Sequence, residues 1–368
     1  MNADTVDKKK YNRIKLTLSL FSTALGIAFI IAIVMTGFSS AISRYVESLS
    51  GNMYTRFVWF VVIIGFIESA LTFPISYYTG YRMEHQYGMS NQTFYQWIKE
   101  NLKGVGVGAV IGLPLLLVFY YSLNVFQGNW WLPVAIVFFL FSVLLARIAP
   151  TVIFPLFYKF KPIENESLKN KLIRLCSGVN MNISGIFEFN MSKTTKKANA
   201  AFAGIGKSKR IILADTLLEN FSDEEIEVVF AHEVGHYYHK HITKSMLLSM
   251  VSIFLGLFVT SWLYELLLPV FGLTSITDLA ALPLLGLLLM LFGFITGPIN
   301  NALSRVYERQ ADAYALNKTK NKTAFISAMQ RLSLMNLADD EPHPVVEFLF
   351  YSHPAISKRV RAAEAFVL

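Results

Sequence analysis

Residues 222–271 read SDEEIEVVFAHEVGHYYHKHITKSMLLSMVSIFLGLFVTSWLYELLLPVF, and this stretch decides the fold. Its start is polar: Ser222 followed by Glu225 forms a capping box before an acidic first turn, which is typical of a helix N-terminus. Its second part, 246–271, carries one charge, Glu265, over more than the roughly 20 apolar residues that cross a bilayer as a helix. The pattern predicts a polar helix that runs into a membrane span.

Five more apolar segments of spanning length lie outward from this one. Of the 368 residues, 54% are hydrophobic and 16% are charged, whereas a soluble domain has about 45–50% and about 25%, so an ordinary soluble enzyme is excluded. Only residues 127–129 separate two of the segments, which must form an antiparallel hairpin. We therefore predict a mostly α, polytopic membrane protein with six transmembrane helices, at 16–38, 57–79, 104–126, 130–148, 246–271 and 280–300.

Two of the spans contain an acid, Glu68 in the second and Glu265 in the fifth. An acid within hydrocarbon is costly and generally faces a partner or a water-filled cavity. Glu265 lies close to the end of its span, so we expect it to reach the membrane interface. Glu68 is expected to face a partner or a water-filled cavity.

The distribution of basic residues predicts the orientation. The net charge is +8, and all but three of the 33 Lys and Arg fall on one face of a six-span arrangement; the exceptions are Arg44, Arg56 and Arg147. Because Lys and Arg are retained in cytoplasmic loops, the N-terminus, the polar segments and the C-terminus are expected to be cytoplasmic. The membrane would be the cytoplasmic membrane of a bacterium, or the endoplasmic reticulum of a eukaryote. No nucleic-acid partner is expected, since no basic patch interleaved with aromatics is visible.

The first span follows Lys8, Lys9, Lys10, Arg13 and Lys15 and so resembles a signal peptide. Its apolar run is longer than the 7–15 residues typical of that signal. We interpret it as an uncleaved anchor.

We divide the chain into an N-terminal membrane region (1–158), a polar segment (159–245), two spans (246–300) and a C-terminal segment (301–368). Strands are expected at 186–189 and 210–214, the second after a turn with Gly204, Gly206 and Lys207, and a helix around 168–176. After Ser304 we expect a helix, a turn at 317–322 and a helix to about 336. The polar segments are expected to form a small α+β domain on the cytoplasmic face. Cys176, alone in the sequence, rules out a disulfide framework and is interpreted as core.

The sequence His232-Glu233-Val234-Gly235-His236 carries the chemistry. Two histidines four residues apart on a helix point from one face, the spacing that a tetrahedral zinc needs, and Glu233 lies where it can deprotonate a metal-bound water. Chance occurrence on a solvated helix is the alternative. The capped helix and the concentration of four of the seven histidines in 232–241 argue against chance.

A catalytic zinc takes three protein ligands and keeps a position for water. Without a second Cys, the third ligand should be His, Glu or Asp. Glu308 and Asp312 lie one helical turn apart, so that one can ligate while the other orients a ligating histidine. Spacing alone does not choose between this and an ordinary charged surface helix.

The motifs together resemble the type I CaaX prenyl protease family of integral-membrane zinc metalloproteases, over about 57–361. Besides His232 to His236, the resemblance rests on His241, on Ser304-Arg305 with Glu308 and Asp312, on Tyr351-Ser352-His353-Pro354 with Arg359, on Asn199-Ala200, and on segments at 68–72, 150–157 and 209–218. It implies that the spans enclose a chamber, with the zinc-protease domain at its cytoplasmic end.

Carried over to this sequence, the resemblance implies one zinc per chain, bound by His232, His236 and Glu308, with Glu233 as general base. Asp312 would support the ligands. His241 would do the same or, alternatively, would be a simple histidine at the membrane interface. His353 would stabilise the oxyanion, with Arg359 supporting that region. Asn199 and Ala200 would pair with the backbone of a peptide or membrane-protein substrate.

Two departures from the eukaryotic pattern favour a compact prokaryotic member: one early span is absent, and the polar insertion before His232 is shorter. A third departure, Ala201 where an aromatic follows Asn-Ala, with Phe202 next, concerns how that subsite is filled. The function predicted is a zinc endopeptidase for peptides or membrane-associated proteins, prenylated or not. Alternatives are an HtpX-like quality-control protease with the same chemistry, a transporter, and a non-catalytic relative. The oligomeric state has no signal in the sequence.

Overall fold

The computed structural model describes residues 7–179, 185–204 and 209–368, which are mostly helical. Gly206 and Lys207 of the predicted turn lie outside the described residues. In chain order the helices are α1 (Lys8–Met35), α2 (Phe38–Leu49), α3 (Met53–Tyr77), α4 (Met83–Gln86), α5 (Phe94–Phe126), α6 (Trp131–Ile148), α7 (Phe154–Phe157), α8 (Glu166–Ser177), α9 (Asp215–Asn220), α10 (Asp223–Tyr238), α11 (His241–Leu267), α12 (Leu282–Thr319), α13 (Lys322–Asn336), α14 (Pro344–Phe350) and α15 (Ile356–Glu364).

Six of these helices are long and apolar enough to cross a membrane, which confirms the six predicted spans. They are α1, α3, α5, α6, α11 and α12. The hairpin between α5 and α6 turns through a single 3₁₀ segment, Gln127–Asn129, as predicted. The carboxylate of Glu265 lies beside Gly128 of that turn, at the end of its span.

The spanning helices form a closed ring. Extensive contacts join α1 to α3, α3 to α5, α5 to α6, α6 to α11, α11 to α12, and α12 back to α1. A helix with its side chains is about 10 Å across, so six in a ring enclose a space about one helix wide. Half-buried Glu68 of α3 lies on the α1 side, with its Oε1 3.6 Å from where a Cβ on Gly26 would stand. The ring is the predicted chamber wall.

An apolar core closes one end of the ring. It joins the ends of all six spans to α2. Its largest fully buried side chains are those of Phe57, Phe60, Trp130 and Tyr264, and Leu123 is also fully buried. We call this cluster the far-end core, because the polar segments gather at the other end of the ring. The interior of the ring therefore lies between the far-end core and the polar domain.

The polar domain contains a four-stranded sheet of order β1-β2-β4-β3. The strands are β1 (Phe160–Pro162), β2 (Ile186–Phe189), β3 (Ala200–Ala203) and β4 (Arg210–Ala214). β2 and β4 pair in parallel and have the predicted bounds, whereas β1 and β3 are antiparallel edge strands. The sequence analysis missed β1 as a strand, since three residues ending in a proline give little strand signal.

Helix α8 packs against α10, and buried Cys176 of α8 belongs to the domain core, as predicted. Burial raises the pKa of the Cys176 thiol to about 11. A thiol protonated at neutral pH is unreactive, which fits a packing role.

Two predicted connections were wrong. The helix from Ser222 does not run into the fifth span: α10 ends at Tyr238, Lys240 adopts a left-handed conformation (φ 56°), and α11 begins at His241. Conversely, the sixth span and the Glu308 helix are one helix, α12, of 38 residues. The predicted span ends at residue 300 and a separate helix is predicted after Ser304, but α12 continues through both positions, since polarity alone does not end a helix.

Candidate metal centre

Helix α10 is positioned by its N-terminus and by burial. Ser222 accepts from the Glu225 backbone N–H while the Glu225 carboxylate accepts from the Ser222 N–H, which is the predicted capping box. Nine residues of α10 are buried. The helix therefore holds His232 and His236 on a fixed inner face.

Glu308 of α12 faces both histidines. His232 Nε2 and His236 Nε2 each lie 3.3 Å from a Glu308 oxygen and 3.1 Å from each other. His232 faces Glu308 Oε2 and His236 faces Glu308 Oε1. Tetrahedral zinc with bonds of about 2.0–2.1 Å has ligand atoms about 3.3–3.4 Å apart, and each of the three separations is close to that spacing. Buried Glu308 Oε2 makes no hydrogen bond of good geometry within the described ranges, although His353 Nδ1 lies 2.9 Å and His232 Nε2 lies 3.3 Å from it. Among the described residues this is the one His/Cys/Asp/Glu group with such geometry.

A glycine makes this approach of α10 and α12 possible. A Cβ on Gly235 would lie 3.0 Å from Ala311 Cα and 3.2 Å from the Ala311 carbonyl oxygen. Backbone cannot give way as a flexible side chain can. Gly235, between the two histidines, therefore sets the distance between the helices that carry the candidate ligands.

Asp312 fixes the ring of His232 from behind. Its Oδ1 lies 2.8 Å from His232 Nδ1, and Arg359 donates to both carboxylate oxygens at 2.6 and 2.9 Å. Burial opposes a charge on His232, but hydrogen bonds to Asp312 and Glu308 outweigh it and raise the pKa of His232 to about 10. The anchored Nδ1 leaves Nε2 directed at Glu308.

His236 is held by a second chain of contacts. Its Nδ1 lies 2.9 Å from His241 Nδ1, and His241 Nε2 lies 2.8 Å from Gln310 Oε1. An amide oxygen only accepts, so His241 Nε2 carries the proton, its Nδ1 accepts, and His236 Nδ1–H donates. This leaves His236 Nε2 unprotonated and able to ligate. Tyr307 stacks on His241 with ring centroids 4.4 Å apart.

Glu233 points away from the ligand face toward the sheet edge. Its Oε2 accepts the backbone N–H of Phe202 in β3 at 3.1 Å. Ala201 pairs with Ile212 of β4, and Phe202 packs edge-on against Tyr237. Phe202, one position after the place where the family has an aromatic, thus contacts α10 through its side chain and donates its backbone N–H to Glu233.

His353 reaches the centre from the segment after α14. The side chain is 63% exposed, yet Nδ1 lies 2.9 Å from Glu308 Oε2. Arg305 donates to the carbonyls of Glu347 (2.9 Å) and Tyr351 (2.5 Å), and the Glu347 carboxylate accepts from the Ala355 N–H. These contacts fix both ends of the segment that carries His353.

Two cavities of about 480 Å³ each adjoin the centre, and Glu233 lines both. One lies between β3, the end of α13 and the His353 segment, and includes Asn199 and Ala200. The other lies among α6, α11 and α12, on the side of the spans, and includes His236 and His241. An extended chain beside Glu233 would have room on both sides.

The structure thus brings together all ten predicted site residues, and sequence reasoning missed several of their partners. The missed residues are Phe202, whose backbone holds Glu233, and Gly235, Tyr307, Gln310 and Glu347. Gln310 follows Glu308 by two positions and so lies on another helical face. The helix break at Lys240 places His241 beside His236, and His241 in turn contacts Gln310.

Comparison with known proteins agrees with this geometry. Residues 162–367 match the family described as Peptidase family M48, and residues 1–159 match the region described as CAAX prenyl protease N-terminal, five membrane helices. Four of the candidate spans of the described residues begin within 1–159, one fewer than in that description.

Individual relatives cover most of the chain. It is 32% identical to the uncharacterized metalloprotease YhfN of Bacillus subtilis (97% of this chain, 84% of that protein) and 29% identical to CAAX prenyl protease 1 of Saccharomyces cerevisiae (83% and 71%). The crystal structure of S. mikatae Ste24p shares the fold with a TM-score of 0.87 at 26% identity (97% and 88%). The chain therefore belongs to peptidase family M48, as an integral-membrane zinc metalloprotease similar to the CAAX prenyl proteases.

Proposed function

We propose that this protein is a zinc-dependent endopeptidase that binds one zinc per chain through His232, His236 and Glu308 and cuts peptide segments of membrane-associated proteins. The observation that carries the proposal is the pair of histidine Nε2 atoms 3.1 Å apart, each 3.3 Å from an oxygen of Glu308, with Glu233 lining both adjoining cavities. The buried carboxylate of Glu308, with His232, His236 and His353 around it, supports a cation at this point.

A zinc bound here supplies a Lewis acid that polarises the scissile carbonyl and makes water acidic enough to lose a proton near neutral pH. Glu233 acts as general base: it takes the proton of the attacking water and delivers it to the leaving amine. Its hydrogen bond to Phe202 N–H holds the carboxylate between the two cavities.

His353 donates to the oxygen on which charge develops, a contact that matters more in the transition state than in the ground state. Asp312, paired with Arg359, holds His232, and His241 holds His236. Such contacts orient ligands and raise their basicity.

Substrate backbone lies along β3 at Asn199 and Ala200 and pairs there with the outward-directed groups of Ala200, since Asn199 C=O accepts from Ala214 N–H of β4. β3 has β4 on one side, and no strand in the described part of the chain pairs with its other side. An extended peptide that adds to such an edge is recognised mainly through its main chain and tolerates varied side chains.

The centre and both termini face the cytoplasm in this proposal. The distribution of basic residues supports this orientation, because all but three of the Lys and Arg residues lie on this face and such residues are retained in the cytoplasm. The bacterial relative YhfN favours the cytoplasmic membrane of a bacterium.

The test is cleavage by the purified full chain of a synthetic peptide ending Cys-Val-Ile-Met, a CaaX-type sequence, with and without a farnesyl group, and products identified by mass spectrometry. We expect cleavage that a chelator stops and added zinc restores. Glu233→Gln should keep its zinc and lose about 10²–10⁴-fold in rate, whereas Glu224→Gln, which removes an exposed acid from the same helix, should not. Equal rates for Glu233→Gln and wild type would contradict the mechanism; the farnesyl comparison decides the substrate class.

A further inference from the structure

The edge of β3 that faces the candidate centre is not open along its whole length. Residues of a strand direct their N–H and C=O alternately to the two sides. Asn199 C=O pairs with Ala214 N–H of β4, so Ala198, Ala200 and Phe202 direct theirs to the cavity. These three residues are the positions at which a peptide could pair.

Two of the three positions have partners within the chain. Phe202 N–H donates to Glu233. Ala198 donates its N–H to Asn336 Oδ1 at 3.0 Å and accepts from Asn336 Nδ2 at 3.2 Å. Between them, Ala200 lines the cavity. Recognition through the edge is thus confined to the short stretch from Phe202 to Ala200.

The contact between Asn336 and Ala198 reproduces strand pairing. In an antiparallel sheet one residue exchanges both its N–H and its C=O with one residue opposite. The side-chain amide of Asn336 has the same donor and acceptor as a peptide group. It therefore fills the place that the next backbone unit of a docked peptide would occupy.

The position of Asn336 is fixed by its surroundings. It is the last residue of α13, and Leu337 after it is left-handed (φ 48°) and buried in a cluster with Tyr11 and Met83. Asn12 Nδ2 donates to the Leu337 carbonyl at 2.6 Å. The end of α13 is thus tied to α1 and α4, which fixes the backbone from which the Asn336 amide reaches Ala198.

We propose that Asn336 terminates the peptide-binding edge and so determines how much extended substrate the cleft accepts on that side of the cut. From Phe202, beside Glu233, to Ala198 is four strand positions, about 13 Å. A substrate chain pairs over that distance and then ends or turns away. A longer extended chain must displace Asn336 from both hydrogen bonds.

This inference rests on the proposed function. Its test is the Cys-Val-Ile-Met peptide lengthened one residue at a time at either end, with kcat/KM measured for each length. For wild type we expect a drop of about tenfold, the effect of two displaced hydrogen bonds, once one end passes Asn336. Extension at the opposite end should give no such step.

Asn336→Ala should reduce the step to about twofold, because Ala198 becomes available to substrate. The matched control is Asn321→Ala, which removes the cap at the other end of α13, where Asn321 accepts from Ala324 N–H at 2.9 Å, and should keep the tenfold step. Zinc content of each variant verifies that it is folded. An unchanged step in Asn336→Ala, or no step in wild type, overturns the proposal.

A binding measurement separates this proposal from the function itself. Fluorescent forms of the same peptides are titrated into the Glu233→Gln variant with and without Asn336→Ala, and the dissociation constants should show the same step. Absence of zinc-dependent cleavage with the step present in binding would contradict the proposed function and support the role of Asn336. Absence of the step in binding would contradict the role of Asn336.

Discussion

The two ends of the ring of spans are stabilised by different kinds of interaction. The far-end core is apolar: Phe57, Phe60, Leu123 and Tyr264 are at most 2% exposed and pack ring against ring and methyl against ring. The metal end is polar, and nearly every contact there is a directed hydrogen bond between named atoms, such as Asp312 to His232. Apolar packing tolerates substitutions of similar volume, whereas a polar network fails when one partner is removed. Zinc affinity should therefore change when a single polar atom is removed at the metal end, and should not change when a side chain of the far-end core is replaced.

The largest effect on zinc is expected for Glu308→Ala. The variant removes one of three candidate ligands and leaves two imidazoles, which do not hold a tetrahedral metal against a chelator. Metal analysis after gel filtration should give about one zinc per wild-type chain and essentially none for the variant. A variant with full zinc occupancy would refute Glu308 as a ligand.

A smaller effect is expected for Gln310→Leu. His241 would lose the acceptor that fixes its tautomer, and His236 would no longer be oriented. Loss of such an outer contact costs about 10–100-fold in metal affinity, to be measured by competition with a chelator dye. The control is Asn317→Leu, which replaces an exposed amide on the same helix. Identical zinc affinities for the two variants would contradict the role of the contacts from Gln310 through His241 to His236.

The affinity should also vary with pH. With its pKa raised to about 10, His232 carries a proton at neutral pH in the metal-free protein, and zinc must displace it. Metal binding then releases a proton, so affinity rises by about tenfold per pH unit between about pH 6 and pH 9. Asp312→Asn should flatten that slope. A flat titration in the wild type would argue against the Asp312–His232 contact.

The smallest effect on zinc is expected for Leu123→Ala in the far-end core. The cavity left by a buried leucine typically costs about 2–5 kcal/mol, so thermal unfolding in detergent should begin at a lower temperature. Zinc affinity should equal that of wild type. A loss of zinc in the folded variant would show that the two ends are coupled and would remove the distinction drawn above.

What the sequence predicted well is local. The capping box at Ser222, the bounds of β2 and β4, and the two-histidine face of α10 each depend on neighbours within a few residues. What it missed depends on residues far apart in the chain. Gln310 lies 69 positions from His241, and Asn336 lies 138 positions from Ala198. No periodicity connects such pairs, because only packing of α10, α12 and α13 brings them together.

The connection errors have the same origin. Lys240 adopts a left-handed conformation (φ 56°), which glycine takes more easily. The sequence therefore has no glycine at this turn that would have predicted it. Along α12, the apolar run ends at Asn300 and Asn301, yet Asn301 donates to the Leu349 carbonyl and the helix continues. In both places tertiary contacts decided against the local preference.

The continuity of α12 constrains how the length of the protein can change. From Leu288 in the far-end core to Glu308 is 20 residues of one helix, or about 30 Å, the thickness of a bilayer core. Insertion of a single residue between them would turn the carboxylate by about 100° and raise it by about 1.5 Å, away from both histidines. Deletions and insertions in this segment are therefore compatible with the centre only in steps close to whole turns. Adaptation to thicker or thinner membranes has to occur in the other five spans or through tilt of the ring.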